Sequence, residues 1–449
     1  MKISRSLAAF AIVSIIAAAW HKSAAAQQQP ARSSPNVLLI VVDDLGYGDL
    51  GCYGSKEIRT PSVDRLAKEG VRLTDCYANA PICSPTRAAL MTGRYPHRAG
   101  FEWAIGYGER GRGLSASEPS LPGMMKRGGY RTALFGKWHL GYDERFSPIG
   151  HGFDEFFGFL GPDIDYYSHR EALGGRGLYE GTKLVDRSGY MTDLIADRAL
   201  AFIDKNADSP FFLEVAFNAP HFPFQPPRKP HDARTGQTYG PQNGTRADYI
   251  EMVEHMDLRL GEILRSIDTH KLTATTLVIF VDDNGGERLS SNAPFNGTKL
   301  TLWEGGIRVP CVVRWPAVIP PGTVSHQPIM TMDLTAMILA ACKVSTPPGW
   351  VLDGIDVLPM LAGKEPVRER TFFWRIKHPA ARSGQKAVRR GRWKYLTDGE
   401  THLLFDLETD PGEAHDVSDE NPKILDELKQ LMSAWEKQMP PVKSRPLAR

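Results

Sequence analysis

Apolar residues fall along the chain in two alternating patterns. Asn36 to Val42 is an apolar, β-branched run without alternation, the pattern of a strand buried on both faces. Arg131 to Trp138, Pro210 to Asn218 and Thr275 to Val281 read the same way. Helical periods lie between them. Thr60 to Glu69 has Thr60 at the N-cap, Pro61 at the first helical position and Gly70 as its stop. Met191 to Lys205 is a second helix. Asp248 to Ile267 is a third, with Ile250, Val253, Leu260, Ile263, Leu264 and Ile267 on one face. Strands alternating with helices predict an α/β fold on a large mixed, mostly parallel sheet flanked by helices.

Near Pro347-Pro348-Gly349 the pattern changes. Phe372 to Ile376, Ala387 to Arg390, Trp393 to Leu396 and Leu403 to Leu407 are short strands at hairpin spacing. A closing helix runs from about Pro422 to Met439. These predict a smaller C-terminal antiparallel sheet with a helix. At the other end, Lys2 and Arg5 precede an apolar run from Leu7 to Ala19, too short to span a bilayer. Ser23-Ala24-Ala25-Ala26 then offers a small-residue cleavage site, so residues 1–26 read as a secretory signal peptide, with a membrane anchor as the alternative. The expected protein is periplasmic or secreted, with no membrane span once the signal is removed.

Composition narrows the class. Of 449 residues, 42 % are apolar and 24 % charged, which excludes a disordered or fibrous chain. The formal charge of +2 announces no polybasic surface for nucleic acid. Five cysteines is an odd number in an oxidising compartment, so at least one stays unpaired; two disulfides are possible among the others.

In open parallel sheets, ligands bind outside the carboxyl ends of the strands. The first buried strand ends in Asp43-Asp44 and the second in Lys137-Trp138-His139. The third runs into His221, and the fourth ends in Asp282-Asp283-Asn284-Gly285-Gly286. Four strands thus deliver carboxylates, an amide, a lysine and two histidines to one edge. Asp43, Asp44, Asp283 and Asn284 are hard oxygen donors, a set suited to Ca²⁺ or Mg²⁺ rather than Zn²⁺. Lys137 and His139, two apart on an extended segment, can share a face. Further on, Pro85 stands where a first helical turn begins, which puts Cys83 at a helix N-terminus, a natural anion site. Arg87, four residues on, leans over the same face, and a cysteine in that setting is a reactive group.

Cys83-Ser84-Pro85-Thr86-Arg87 followed by Thr92-Gly93-Arg94 resembles the signature of the formylglycine-dependent sulfatases, members of the alkaline phosphatase superfamily. The resemblance extends through Asp43-Asp44-Leu45-Gly46-Tyr47-Gly48-Asp49, Gly136-Lys137-Trp138-His139-Leu140-Gly141, Ala219-Pro220-His221, Asp283-Asn284-Gly285, Lys299 and Trp303-Glu304-Gly305-Gly306. It continues into Leu404-Phe405-Asp406-Leu407 with Asp410-Pro411. Order and spacing are most similar to the arylsulfatase A and N-acetylgalactosamine-6-sulfatase branch. The resemblance implies that a formylglycine-generating enzyme oxidises Cys83. Asp43, Asp44, Asp283, Asn284 and the modified Cys83 would ligate one Ca²⁺, with Mg²⁺ as the other option. One hydroxyl of the hydrated aldehyde would attack sulfur and form a covalent sulfate ester. The metal and Arg87 would activate that hydroxyl. Lys137, Lys299 and His221 would neutralise the sulfate oxygens, and His221 or Lys299 would protonate the leaving oxygen. His139 would take a proton from the second hydroxyl and expel sulfate. The substrate implied is a sulfated carbohydrate.

Two departures stand out. Where arylsulfatase A has a serine touching sulfate, this chain reads Gly161-Pro162-Asp163, with Ser168-His169 as the nearest source of such a contact. Asp282 replaces the usual serine before Asp283. Phe101-Glu102-Trp103, Tyr166-Tyr167, Trp350 and Trp374 are aromatic candidates for a sugar pocket, each of which can equally be packing. The division expected is 27–345 for a catalytic domain and 346–449 for the smaller subdomain. Two other functions fit less well. A phosphate or phosphonate ester hydrolase of the same superfamily would add histidine ligands, which do not follow Asp283-Asn284. A dead sulfated-glycan binding protein would lack a nucleophile or ligand, and none is lacking.

Overall fold

The computed structural model describes residues 34–441 apart from 108, 173, 228–242 and 379–382. The expected signal peptide lies outside the described residues. Asn36–Asp43 is a strand buried along its whole length. It is the middle of a sheet of ten strands. Thr276–Asp282 and Phe211–Pro220 flank it in parallel, and Arg131–Lys137 and Glu155–Phe159 extend the parallel set. Antiparallel strands close both sides: Cys311–Arg314 against Thr276–Asp282, and Leu178–Glu180 against Glu155–Phe159.

Alternate residues of the central strand face two separate cores. Leu38, Ile40 and Val42 pack beneath the helices Met191–Asn206 and Arg246–Thr269; Val37, Leu39 and Val41 pack beneath Cys83–Thr92 and Thr331–Ala341. A sheet covered on both faces leaves only its strand ends open for chemistry. Gly136 is a steric necessity in this layer. Its φ is +119°, and a Cβ there would stand 1.8 Å from the Ala216 carbonyl oxygen of the neighbouring strand.

The expected elements are present, with differences that have local causes. The Pro61–Glu69 helix begins at Thr60, but the Thr60 hydroxyl does not cap it. Asp257 Oδ2 and Oδ1 accept from Ser62 N and Val63 N at 2.9 Å each, so a distant helix supplies the cap. On the long Arg246–Thr269 helix, Tyr249 is buried where Ile250 was expected to be; Ile250 is only half-buried. All five cysteines are free thiols, and neither possible disulfide is formed.

The C-terminal strands Thr371–Ile376, Gln385–Arg390, Trp393–Thr397 and His402–Asp406 form an antiparallel sheet, covered by the Pro422–Glu436 helix. Its inner face is tied down by charge as well as by packing. Lys394 Nζ, fully buried, bonds Glu304 Oε1 at 2.9 Å and Glu413 Oε1 at 2.7 Å. Arg308 and Tyr77 complete the shell of Glu304, and Arg389 joins Tyr77 to Asp75. Trp374 Nε1 donates to the Ala78 carbonyl at 2.9 Å.

Removing one member of a buried ion group leaves its partners charged and unsolvated. We expect Lys394→Met to destabilise the protein by about 3–5 kcal/mol, read as a lower denaturation midpoint in urea. A midpoint equal to wild type would show that the two carboxylates find other partners.

Candidate active site

The residues chosen on sequence for metal binding and catalysis come together in one cluster at the carboxyl edge of the sheet. Asp43 closes the central strand and Asp44 follows with φ +67°; His139, two residues beyond the Arg131–Lys137 strand, has φ +55°. Left-handed backbone at two non-glycine residues is strain held by its surroundings, and both stand at the cluster. Cys83 is the first residue of its helix, and no side chain caps that end. The entry is pinned from behind, where the Thr86 hydroxyl bonds both the N–H and the carbonyl of Ala80.

The contacts radiate from the two aspartates. The Cys83 thiol lies 3.5 Å from Asp43 Oδ1, and Lys137 Nζ bonds Asp43 Oδ2 at 2.6 Å. Arg87 Nε donates to Asp283 Oδ2 at 2.8 Å, and its Nη2 stands 3.6 Å from Asp43. Lys299 Nζ bonds Asp44 Oδ2 at 2.7 Å, His221 Nε2 stands 3.5 Å from the same oxygen, and Asn284 Nδ2 donates to Asp44 Oδ1. His139 faces the Ile105 carbonyl through Nε2 at 2.9 Å, and its Nδ1 has no partner.

Burial and charge set the protonation states. Burial raises Asp44, but Lys299, then His221 and Lys137, override it and hold it well below the usual carboxylate range. Burial, only partly opposed by Arg87, pushes Asp283 up to about 6. Burial brings His221 down to about 3 against the pull of Asp44, so its imidazole is neutral at pH 7. Burial and then Lys137 do the same to His139. The Cys83 thiol is pushed well up by burial and next by Asp283. This corrects the expectation of a reactive cysteine: despite the helix end and Arg87, burial holds the thiol at position 83 protonated, and Arg87 gives its hydrogen bonds to Asp283 and the Lys137 carbonyl.

The donor set fits a hard divalent cation. Asp43, Asp44, Cys83 and His221 bring ligand atoms within 4.8 Å of one another. Asp283 Oδ1 and Asn284 Oδ1 are buried without any partner. Two orphaned oxygens at the same strand end form a half-built cradle, since buried acceptors are otherwise satisfied. Three cations (Arg87, Lys137 and Lys299) face three carboxylates, so a divalent ion would give the cluster a surplus of positive charge for an anionic ester.

Several neighbours were not foreseen. Glu214 sits mid-strand among phenylalanines, pushed up to about 7 by burial that Arg87 only partly opposes. Glu287, burial again leading, is raised to about 7. Asp282 turns one oxygen to its neighbour's N–H at 2.9 Å and leaves the other unpartnered. The Ser168 backbone N–H caps Asp165 at 2.6 Å, and His169 sits with Nε2 unpartnered; Asp163 is the residue of that loop that reaches the field of His221. Among the aromatic candidates, Phe101, Tyr166 and Trp374 are core, and Trp350 lies against Arg94.

Buried cations and carboxylates at the open edge of such a sheet define a hydrolase of anionic esters. The chain belongs to the sulfatase family: the Sulfatase family profile matches residues 35–344, and that of the N-sulphoglucosamine sulphohydrolase C-terminal region matches 297–438. It is therefore a sulfuric ester hydrolase. It is 34 % identical to N-acetylgalactosamine-6-sulfatase of Sus scrofa, over 88 % of this chain and 84 % of that protein. Identity to human arylsulfatase A is 33 %, covering 88 % and 87 %. Among solved structures, Ps i-CgsB in complex with k-i-k-neocarrahexaose aligns with a TM-score of 0.83 and 32 % identity, over 91 % of this chain and 94 % of that one. The phosphonate monoester hydrolase of Agrobacterium radiobacter, at 21 % identity and a TM-score of 0.67, shares the fold.

The orphaned oxygens make metal binding measurable without turnover. We expect Ca²⁺ to raise the melting temperature of the wild-type protein and Asn284→Leu to abolish most of that rise. Chelation should remove activity, with Ca²⁺ or Mg²⁺ restoring it; rescue by Zn²⁺ alone would contradict oxygen ligation.

Proposed function

We propose that this sulfatase hydrolyses sulfate esters of a carbohydrate, outside the cytoplasm, with position 83 as its nucleophile after oxidation to formylglycine. The observation that carries the reading is Cys83 itself, at the open end of a buried helix and 3.5 Å from Asp43 inside a ring of three cations. A thiol held protonated there is a poor nucleophile, which favours conversion over direct use. Hydrated formylglycine supplies one hydroxyl to attack sulfur and a second from which a proton can be withdrawn. Asp43, Asp44, Asp283 and Asn284 would hold a divalent cation, which would supply charge neutralisation.

The remaining work falls to the chain's own side chains. Lys137, buried, and Lys299, part-buried, are both charged; they bind the sulfate oxygens and stabilise the charge that builds on them. Arg87 orients Asp283 and Asp43 and adds a third positive charge. Lys299 carries a proton at neutral pH and is the better donor to the leaving oxygen. His221 gives its Nδ1 hydrogen to the Phe222 carbonyl at 2.6 Å, which leaves Nε2 bare toward Asp44. His139 gives Nε2–H to the Ile105 carbonyl and keeps Nδ1 bare, unpartnered and neutral, the state a general base needs. In this reading residues 27–345 carry the chemistry and 346–449 form a subdomain. The carbohydrate preference rests on the names of the relatives and on the neocarrahexaose bound by the structural neighbour. No helix among the described residues is long and apolar enough to cross a membrane.

The deciding measurement is the mass of the Cys83 peptide from protein made beside a formylglycine-generating enzyme. We expect it lowered by the thiol-to-aldehyde difference, with sulfate released from sugar sulfates faster than phosphate from the matching phosphates. Cys83→Ala should fold and release nothing. Cys83→Ser should gain one sulfate per chain and stop, because serine has no second hydroxyl. Repeated turnover by Cys83→Ser would refute the mechanism.

A further inference from the structure

A second group of polar side chains borders the site and takes no part in the chemistry above. Tyr142 stands three residues beyond His139, and Tyr107 two beyond Ile105, the residue that fixes His139. Asp163 and Glu171 come from the loop after the Glu155–Phe159 strand. Tyr142, Asp163 and Glu171 therefore sit on segments that leave the same edge of the sheet as the catalytic residues, and Tyr107 comes to them on the loop that holds His139. The Tyr107 hydroxyl donates to Asp163 Oδ2. Asp163 is 2 % exposed and lies within the electrostatic field of His221, which puts it at the wall of the site.

Tyr142 is the informative member. The residue is 6 % exposed, its hydroxyl has no hydrogen-bond partner, and its charged neighbours are Glu171, Asp163, Arg110 and Glu109. The Gly161 backbone lies close against it: a Cβ there would stand 3.2 Å from the Tyr142 hydroxyl, so a side chain at 161 would crowd that oxygen. A buried hydroxyl without a partner costs free energy unless something completes it. The group offers two tyrosine hydroxyls that stay protonated and two carboxylates that accept. Sugar hydroxyls both donate and accept, so they match such a mixture. A second sulfate or a carboxylate on the ring does not, because it would meet Asp163 and Glu171. The nearest compensating charge, Arg110, stands 3.8 Å from Glu171 on the exposed side.

We propose that Tyr107, Tyr142, Asp163 and Glu171 form the ring-hydroxyl subsite of this enzyme, selecting a neutral sugar whose only anionic group is the sulfate ester being cleaved. The inference rests on the sulfatase reading of the adjoining site and names the substrate class that site takes.

The test uses the full, matured protein with four probes: 4-nitrophenyl sulfate, N-acetylgalactosamine 6-sulfate, N-acetylgalactosamine 4-sulfate and N-acetylgalactosamine 4,6-disulfate. The readout is the ratio of kcat/KM for the better monosulfated sugar to that for the aryl sulfate. Tyr142→Phe and Asp163→Asn should each lower this ratio about tenfold, the worth of one hydrogen bond to substrate. Wild type should prefer the monosulfate to the disulfate by at least about tenfold, and Asp163→Asn should narrow that gap by removing the repulsion. Ratios within about twofold of wild type, or a wild-type preference for the disulfate, overturn the proposal. If Asp163→Asn does not fold, Tyr142→Phe decides. If no probe is cleaved, the aryl sulfate included, the sulfatase reading has failed by itself. The subsite is then decided by calorimetry on the Cys83→Ala protein, where adding Tyr142→Phe should weaken N-acetylgalactosamine 6-sulfate about tenfold; equal affinity overturns it.

Discussion

Two consecutive carboxylates at the end of one buried strand hold the site together. Asp43 gathers Cys83, Lys137 and Arg87; Asp44 gathers Lys299, His221 and Asn284. Adjacent residues of a strand point to opposite sides, and the left-handed turn at Asp44 lets both address one centre. The arrangement is costly. Buried ion pairs seldom repay their own desolvation, and here carboxylates are stacked against one another as well as against cations. Such a concentration of charge is explained by what it binds rather than by what it contributes to stability.

The rest of the fold supplies the stiffness this requires. The five parallel strands are buried on both faces, so their carboxyl ends cannot drift independently. Gly136 lets two of them approach without a side chain between, and the residue after it is Lys137. His139 follows on the same segment, held by the Ile105 carbonyl rather than by another site residue. The bare nitrogen it presents is therefore set by a loop that packs over the Cys83 helix, where Ser84 takes the Ile105 N–H.

Much of this was legible in the sequence, for definable reasons. Strands buried on both faces leave unbroken apolar runs, so Asn36–Asp43 and Thr276–Asp282 announced themselves, and the polar residues that end those runs mark the edge. Short strands such as Val71–Leu73 and Cys311–Arg314 carry too few residues for a period and were not visible. The capping of the Pro61–Glu69 helix by Asp257 is a contact between segments far apart in sequence, which no local pattern encodes. Protonation was misread for the same reason: the proximity of Arg87 to Cys83 is local, whereas the burial that dominates the thiol comes from the whole fold. Glu214 was the readable omission, a lone acid inside Phe211–Phe217. Tyr107, Tyr142 and Asp163 had no signal, because tyrosines near loops are common.

The clamp of Lys394 on Glu304 bears on where such proteins can be recombined. Lys299, Trp303 and Glu304 lie on one short stretch; Lys299 reaches Asp44, while Glu304 is held by Lys394 of the C-terminal sheet and gives its backbone N–H to Glu413 in the loop after that sheet. Gln385 adds bonds to the Leu302 N–H and the Leu300 carbonyl. The matches to the two family profiles overlap over this stretch, at 297–344. A chimera joined at the proline-rich turn near Pro347 would separate Glu304 from the lysine that holds it, and would loosen the stretch that aims Lys299. The workable seam for grafting a foreign C-terminal half lies upstream of residue 297, so that the lysine and its anchor travel as one cassette.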